Sequence, residues 1–326
     1  LEAHRTRPGE RRRQHVPEAG LIVVASWQAH VLDLLIRVQV KQKMKRRPDL
    51  PTVRKMMSSG KLPAPADVVF RPDTIGGIAG EWAEAPDTGE AAPVLLYLHG
   101  GGYFACSPRT HRPITGAFAK AGLRVFVPDY RLAPEHPYPA AVEDARAAWH
   151  GLRAGGHDAG EITVAGDSAG GGLALALMLA LRDGGHALPA AAALFSPWTD
   201  LAGTGESITT NRQREAMFWA PGLADGAGFY LGGADARTPG ISPLYADLRG
   251  LPPLLIHAGD REILRDDSTR LAEKAREAGV AVEARIWPVV PHVWQLAAFV
   301  PEARESLRRA AEFLTGHARA GAARAA

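Results

Sequence analysis

The run Ile162-Thr163-Val164-Ala165-Gly166-Asp167-Ser168-Ala169-Gly170-Gly171-Gly172-Leu173-Ala174 decides how this chain is read. A short β-forming run ends, the pentapeptide Gly166-Asp167-Ser168-Ala169-Gly170 (G-x-S-x-G) follows, and a helix-forming stretch begins. That context places Ser168 in a tight, strained turn between a strand and a helix. Gly166 and Gly170 flank it because neighbouring backbone in such a turn comes too close to admit a Cβ. The helix N-terminus then points its free N–H groups at negative charge developing beside the serine. Ser168 is therefore the candidate nucleophile, and Ala169 a candidate N–H donor.

Around this turn, short β-rich runs alternate with helix-length segments. The strand runs are Val68–Arg71, Val94–His99, Arg124–Asp129, Ile162–Ala165, Ala191–Phe195, Leu254–His257 and Val282–Trp287. Helical stretches lie over Ala140–Arg153, Ala169–Arg182, Asp266–Ala278 and Pro301–His317. Apolar strands alternating with helices predict right-handed crossovers and a mostly parallel central sheet flanked by helices on both faces. The 326 residues fit one such unit, and no internal repeat is present. The segment 201–240 breaks the alternation. It carries Met217, Phe218, Trp219, Phe229 and Tyr230 among several glycines and is too long for a plain connection. It is expected to form a cap over the substrate site, together with N-terminal helices over 26–65.

A second chemical element is His99-Gly100-Gly101-Gly102, directly after the strand Val94–Leu98. Attack on an ester carbonyl creates an oxyanion, and its donors must already be aimed, because a flexible donor reorganises at the barrier. Consecutive glycines let a loop present its backbone N–H groups. Gly101, Gly102 and Ala169 are the expected donors of an oxyanion hole, each worth on the order of 3 kcal/mol of transition-state stabilisation. His99 reads as a residue that orders this loop, Asp167 as one that hydrogen-bonds nearby loops, and Tyr130, Arg131 and Glu135 as the ties of a turn. Cys106 reads as a small buried hydrophobe.

His99-Gly-Gly-Gly, then Asp129-Tyr-Arg-Leu-Ala-Pro-Glu-His-Pro-Tyr-Pro-Ala140, then Gly166-Asp-Ser-Ala-Gly170, in this order and spacing, resemble the bacterial branch of the hormone-sensitive lipase family of esterases. The resemblance runs from about Ser26 to Thr315. It implies an α/β-hydrolase fold with a helical cap, no cofactor, and cleavage of esters with short to medium acyl chains. In α/β-hydrolases the chain order is serine, acid, histidine. His186 falls too close to the serine, His257 precedes the acid loop and His317 lies in the terminal tail. His292, in Pro291-His292-Val293-Trp294, takes the place of the family's histidine and is the expected base. For the acid, Asp260 and Glu262 both follow the strand Leu254–Ala258. The family pattern Asp-Pro-Leu-Arg-Asp aligns without a gap on Glu262-Ile-Leu-Arg-Asp266, which favours Glu262 and leaves Asp260 as the alternative. Asp266 and Asp267 are expected to begin the next helix.

The N-terminal part differs from the rest. Residues 1–61 hold 14 Lys/Arg against 5 Asp/Glu, while the whole chain carries a net charge of +3. Residues 1–25, Arg-rich with scattered proline, read as a leader outside the fold. From Ser26, a plausible N-cap, Trp27, Val31, Leu34, Leu35 and Val38 follow the i, i+4, i+7, i+8, i+11 pattern of an amphipathic helix. A second short helix is expected over Thr52–Ser59, a linker over 60–65, and a frayed Ala-rich tail from Ala318. No run is apolar enough to span a membrane or to serve as a secretory signal, so the cytoplasm is the expected compartment. One cysteine excludes an internal disulfide framework. No Cys/His cluster has metal-ligand spacing and no loop cradles phosphate, so no metal or cofactor is expected. The expected partner is a small-molecule ester; neither nucleic acid nor stable membrane insertion is expected. The resemblance implies that homodimers are common, often through an edge strand such as 282–287. Within the same chemistry, a lactone hydrolase or a metabolite deacetylase is the alternative. A non-catalytic receptor on this fold would lack the serine, acid and histidine that are all available here. A membrane-surface lipase anchored by the basic N-terminal helix is a third class.

Overall fold

Apolar strands that alternate with helices of covering length build three layers, with the sheet in the middle. The computed structural model describes residues 24–58 and 62–325. It begins with α1 (Trp27–Ile36), a π-helical turn (Arg37–Lys41), α2 (Gln42–Met44) and α3 (Leu50–Ser58). The sheet follows with β1 (Val69–Ile75), β2 (Ile78–Glu84), β3 (Val94–Leu98), α4 (Arg112–Lys120), β4 (Arg124–Pro128) and α5 (Ala140–Ala154). Then come β5 (Ile162–Asp167), α6 (Ala169–Asp183), β6 (Ala192–Phe195), α7 (Ser207–Thr210) and α8 (Pro221–Leu231). The chain closes with β7 (Leu254–Gly259), α9 (Arg265–Glu277), β8 (Val282–Trp287) and α10 (Pro301–Ala325). The leader expected over 1–25 lies outside the described residues up to position 23, as does the expected linker at 60 and 61.

Among the described residues the sheet has eight strands in the order β1-β2-β4-β3-β5-β6-β7-β8. From β4 to β8 all pairs are parallel, while β1–β2 and β2–β4 are antiparallel. The central strands β3 and β5 are buried along their whole length. One face of the sheet packs under α5 and α6 and the other under α4 and α10. Helix α6 is apolar nearly all round because sheet and covering elements enclose it.

Three elements depart from expectation. β2, Ile-Ala-Gly-Glu-Trp-Ala-Glu, lacks an apolar run and is held as a strand by its partners on both sides. α4 contains Pro113 and Gly116, which mask a helix in sequence. Pro113 sits in the first turn, where its missing N–H leaves no bond unmade. The tail expected to fray from Ala318 instead continues α10 as helix to Ala325.

The amphipathic reading of α1 is also changed. Ser26 caps it, accepting from Ala29 N at 3.1 Å. Its docked side, however, is Ala29 and Leu32, packed on Trp287, Trp294 and Val300, with Asp33 buried and accepting from Arg37 and Arg261. Ser26 ties that side to α10, donating from N and Oγ to Glu302 at 2.6 and 2.7 Å. The stripe Trp27, Val31, Leu34, Leu35 and Val38 faces outward.

Candidate active site

The carboxyl ends of β3, β5, β7 and β8 lead into the four segments that carry the candidate residues, the end of such a sheet where ligands bind. After β5, Ser168 takes φ 52° and ψ −122°, a conformation that L-residues hold only when their surroundings impose it. Its N–H donates to Phe195 O at 2.8 Å, and its carbonyl accepts from Trp198 N at 2.8 Å and Gly171 N at 3.0 Å. A Cβ at Gly170 would overlap the carbonyl oxygen of Leu98, and one at Gly166 that of Gly170. The two glycines are thus required by close approach of backbone, and α6 starts immediately at Ala169.

After β3, Gly101 and Gly102 adopt φ 118° and 64°, which lets the loop turn back on itself. Gly101 O accepts from Phe104 N and Ala105 N, at 3.1 and 2.9 Å. Among the described residues, backbone hydrogen bonds made outside regular helices and strands use none of the N–H groups of Gly101, Gly102 and Ala169. Asp167, buried beside the elbow, pins this loop: its Oδ1 accepts from Gly100 N at 3.1 Å and from Tyr97 Oη at 2.7 Å. Burial pushes the Asp167 carboxyl up, but His111, 3.2 Å away, and Tyr97 outweigh it and hold the pKa below the ordinary value. His99 stacks on Tyr130 with centroids 4.3 Å apart, and Tyr130 Oη donates to His99 O at 2.6 Å. Burial lowers the His99 pKa to about 3, which leaves it a poor proton acceptor and suits it to ordering the loop.

Geometry separates the two candidate acids. Glu262 Oε2 lies 2.6 Å from His292 Nδ1. Its Oε1 accepts from Ser196 Oγ at 2.7 Å and Gly259 N at 2.5 Å, and the residue is 1% exposed. Asp260 points elsewhere, accepting from Arg214 Nη2 at 2.6 Å and Val289 N at 2.8 Å. An ionised carboxylate facing Nδ1 can only accept, so Nε2 keeps the lone pair a base needs. His292 Nε2 is buried and makes no hydrogen bond among the described residues. Burial lowers the basicity of His292, but Glu262, with Glu215 and Asp167 behind it, overrides this and raises the pKa. Asp266 and Asp267 do open α9, yet Asp267 is buried and accepts from Thr199 N and Asp200 N, both at 2.8 Å.

Ser168, His292, Gly101 and Gly102 line one cavity of about 290 Å³ whose remaining walls are largely apolar. Val40 and Met44 close it from the N-terminal helices, and Met217, Phe218 and Trp219 from segment 201–240. Cys106 lines it as well, and burial pushes its thiol up to about 12, far from thiolate. A second cavity of about 510 Å³ shares Met44, Phe104, Trp219, Gly222 and Gly226 with the first. The remaining histidines considered in sequence lie apart: His257 meets Ser306 Oγ at 2.9 Å, His317 meets Phe313 O at 2.8 Å, and His186 packs on His150. Among the described residues, no group of three or more His, Cys, Asp or Glu is placed to hold a metal ion, and no helix is long and apolar enough to cross a membrane.

Sequence reasoning missed Ser196 and Glu215 as supports of this site, while Phe218 was expected in the cap. Ser196 bridges the acid loop to the base loop, with Val293 N donating to its Oγ at 3.4 Å. Phe218 packs edge-on against His292, centroids 4.7 Å apart. Glu215 is buried behind the acid: its Oε1 accepts from Met217 N at 2.7 Å and its Oε2 from Ile263 N at 2.9 Å. Burial pushes the Glu215 carboxyl up. The one sequence signal for Glu215 was a lone carboxylate just ahead of Met217-Phe218-Trp219.

A family model described as alpha/beta hydrolase fold matches residues 95–296. An acetyl-hydrolase of Streptomyces hygroscopicus is 45% identical over 252 residues, 77% of this chain and 82% of that protein. An esterase of Acinetobacter venetianus is 38% identical over 253 residues, 76% of this chain and 82% of that protein. Among solved structures, the esterase EstE5 soaked with p-nitrophenyl butyrate superposes with a TM-score of 0.85 at 39% identity, covering 90% of this chain and all of the other. An esterase from the bacterial hormone-sensitive lipase family gives a TM-score of 0.85 at 40% identity, covering 90% of this chain and 99% of that one.

Proposed function

This chain belongs to the α/β-hydrolase fold family, among the esterases of the hormone-sensitive lipase type, and we propose that it cleaves carboxylic esters through an acyl-enzyme on Ser168. The observation that carries the assignment is the contact of 2.6 Å between Glu262 Oε2 and His292 Nδ1, in the cavity wall that also holds Ser168. Ser168 Oγ attacks the ester carbonyl carbon, and its proton passes to His292 Nε2. Glu262 keeps the proton already on Nδ1 in place and stabilises the imidazolium that forms. The oxyanion is met by the N–H groups of Gly101, Gly102 and Ala169. Collapse of the tetrahedral species breaks the C–O bond, and His292 returns the proton to the departing alkoxide. Water then attacks the acyl-enzyme by the same route, releasing the acid and restoring Ser168. No metal or redox group enters this sequence of steps.

The cavity supports short to medium acyl groups: about 290 Å³ is at the small end for ligand sites, and its walls offer little but apolar surface beyond the reacting groups. A cytoplasmic location accords with the lack of a crossing helix among the described residues. Hydrolysis of p-nitrophenyl butyrate tests the assignment directly. Ser168→Ala is expected to lower kcat by about 10⁴-fold or more. Equal rates for the two proteins would refute it.

A further inference from the structure

Trp27, Val31, Leu34, Leu35 and Val38 are 72, 42, 58, 45 and 59% exposed and lie on one side of α1 and of the π-helical turn that continues it. The helix does not need this side for folding, because Ala29 and Leu32 already dock it on the protein and Glu302 holds its N-cap. Scattered exposed apolar residues are ordinary, but five large ones in register on one helix face form a patch of the kind that marks an interaction surface.

The charge around the patch selects its partner. Between Asp33 and Asp49 the sequence has no acidic residue and six cations. Arg37 and Lys41 turn inward, donating to the carbonyls of Gln213, Arg214, Arg212 and Glu215. Arg47 pairs with Asp225 at 3.0 Å and lies over the Trp219 ring, while Lys43, Lys45 and Arg46 are exposed directly beyond the apolar face. A helix with an aromatic and aliphatic face bordered by lysine and arginine matches the interface of an anionic bilayer, where apolar side chains enter the acyl boundary and cations meet headgroups. A second copy of the chain would bring the same cations towards one another. The placement also makes functional sense. Val40 and Met44, on the continuation of the same helical run, line the substrate cavity, and exposed Leu62 lines it too, marking where it opens.

We propose that the outward face of α1 is a peripheral docking surface for anionic membranes, which holds the enzyme beside the lipid phase from which apolar esters are drawn. The contact is adsorption along the helix, with no segment crossing the bilayer.

The test is co-sedimentation of the full chain with large unilamellar vesicles of phosphatidylcholine, with and without phosphatidylglycerol, at low and high salt. Binding is expected to the vesicles that contain phosphatidylglycerol and to weaken as salt rises. Leu34→Glu with Leu35→Glu is expected to weaken binding about tenfold or more. Hydrolysis of water-soluble p-nitrophenyl acetate by this variant stays unchanged, which shows that it is folded and keeps the test separate from the esterase assignment. Lack of binding by the unaltered chain to phosphatidylglycerol vesicles at low salt overturns the proposal. So does a dimer, seen by light scattering, that the double substitution dissociates, because a second copy would then own the face.

Discussion

The ends of the strands and the cap meet at one cavity, but they are held in different ways. Ser168, the glycine loop and the acid loop are positioned by backbone. Ser168 hangs between Phe195 and Trp198, the elbow glycines touch carbonyl oxygens, and Gly259 N grips Glu262. The cap is held by long cations that reach carbonyls: Arg37 and Lys41 clasp residues 212–215, and Arg54 clasps Phe104 and Ala133. Proton transfer tolerates errors of a fraction of an ångström, so its groups sit on the most rigid layer. A wall for an acyl chain needs only shape, and side-chain ties suffice.

The sharpest way to break this comparison is to remove a strand-end carboxylate. Glu262→Ala is expected to lower kcat on p-nitrophenyl butyrate by roughly 10³- to 10⁴-fold. Asp260→Ala, which loses a tie to Arg214 and Val289, is expected to cost less than about tenfold. A severe loss confined to Asp260 would reverse the acid assignment. The pH profile gives an independent reading. The base acts as neutral imidazole, so the rate falls as pH drops through the His292 pKa. That pKa is raised, so the acid limb lies above the ordinary imidazole value of about 6.5. Without Glu262 the burial of His292 dominates, and the limb of the residual activity moves to lower pH.

Next comes the junction between the two regions. Glu215 belongs to the cap segment but binds Ile263 N of the acid loop, and both carboxyl oxygens accept from backbone N–H. In Glu215→Gln one of those oxygens becomes an NH₂ that cannot accept. One tie is therefore lost, and Phe218 is freed to drift from His292. A fall in kcat/KM of about tenfold is expected by steady-state kinetics, with soluble expression retained. An unchanged rate would mean that the cap does not steady the triad.

The same division explains what could be read in advance. The candidate nucleophile, the glycine loop and the candidate base were legible as positions, because backbone geometry restricts them to glycine, serine and a loop histidine in fixed chain order. Separating the candidate acids Glu262 and Asp260 needed the fold, since two carboxylates two residues apart differ only in where the loop points them. β2 and α4 were hidden for a related reason: neighbours on both sides hold the first, and a first-turn proline disguises the second. The cap was least legible. A cation reaching a carbonyl leaves no pattern in sequence, and the apolar stripe read on the first helix turned out to face solvent.

The smallest expected effect lies wholly in the cap. Arg54 on α3 donates from Nε to Phe104 O at 2.7 Å and from Nη2 to Ala133 O at 2.7 Å, and it pairs with Glu135 at 2.6 Å. The pair with Glu135 is half exposed and screened, so it contributes little by itself. The carbonyl bonds matter more, because Phe104 lines both cavities and its backbone follows directly on the glycine loop. Arg54→Ala is expected to raise KM for p-nitrophenyl butyrate about threefold and to lower stability by about 1 kcal/mol, with kcat nearly unchanged. Arg54→Lys should behave like the alanine variant, since an ammonium cannot span three acceptors with the fixed fork of a guanidinium. A fall in kcat as large as that in KM would show that α3 holds the oxyanion loop itself. The boundary between a rigid chemical floor and a side-chain-tied cap would then shift to include Phe104.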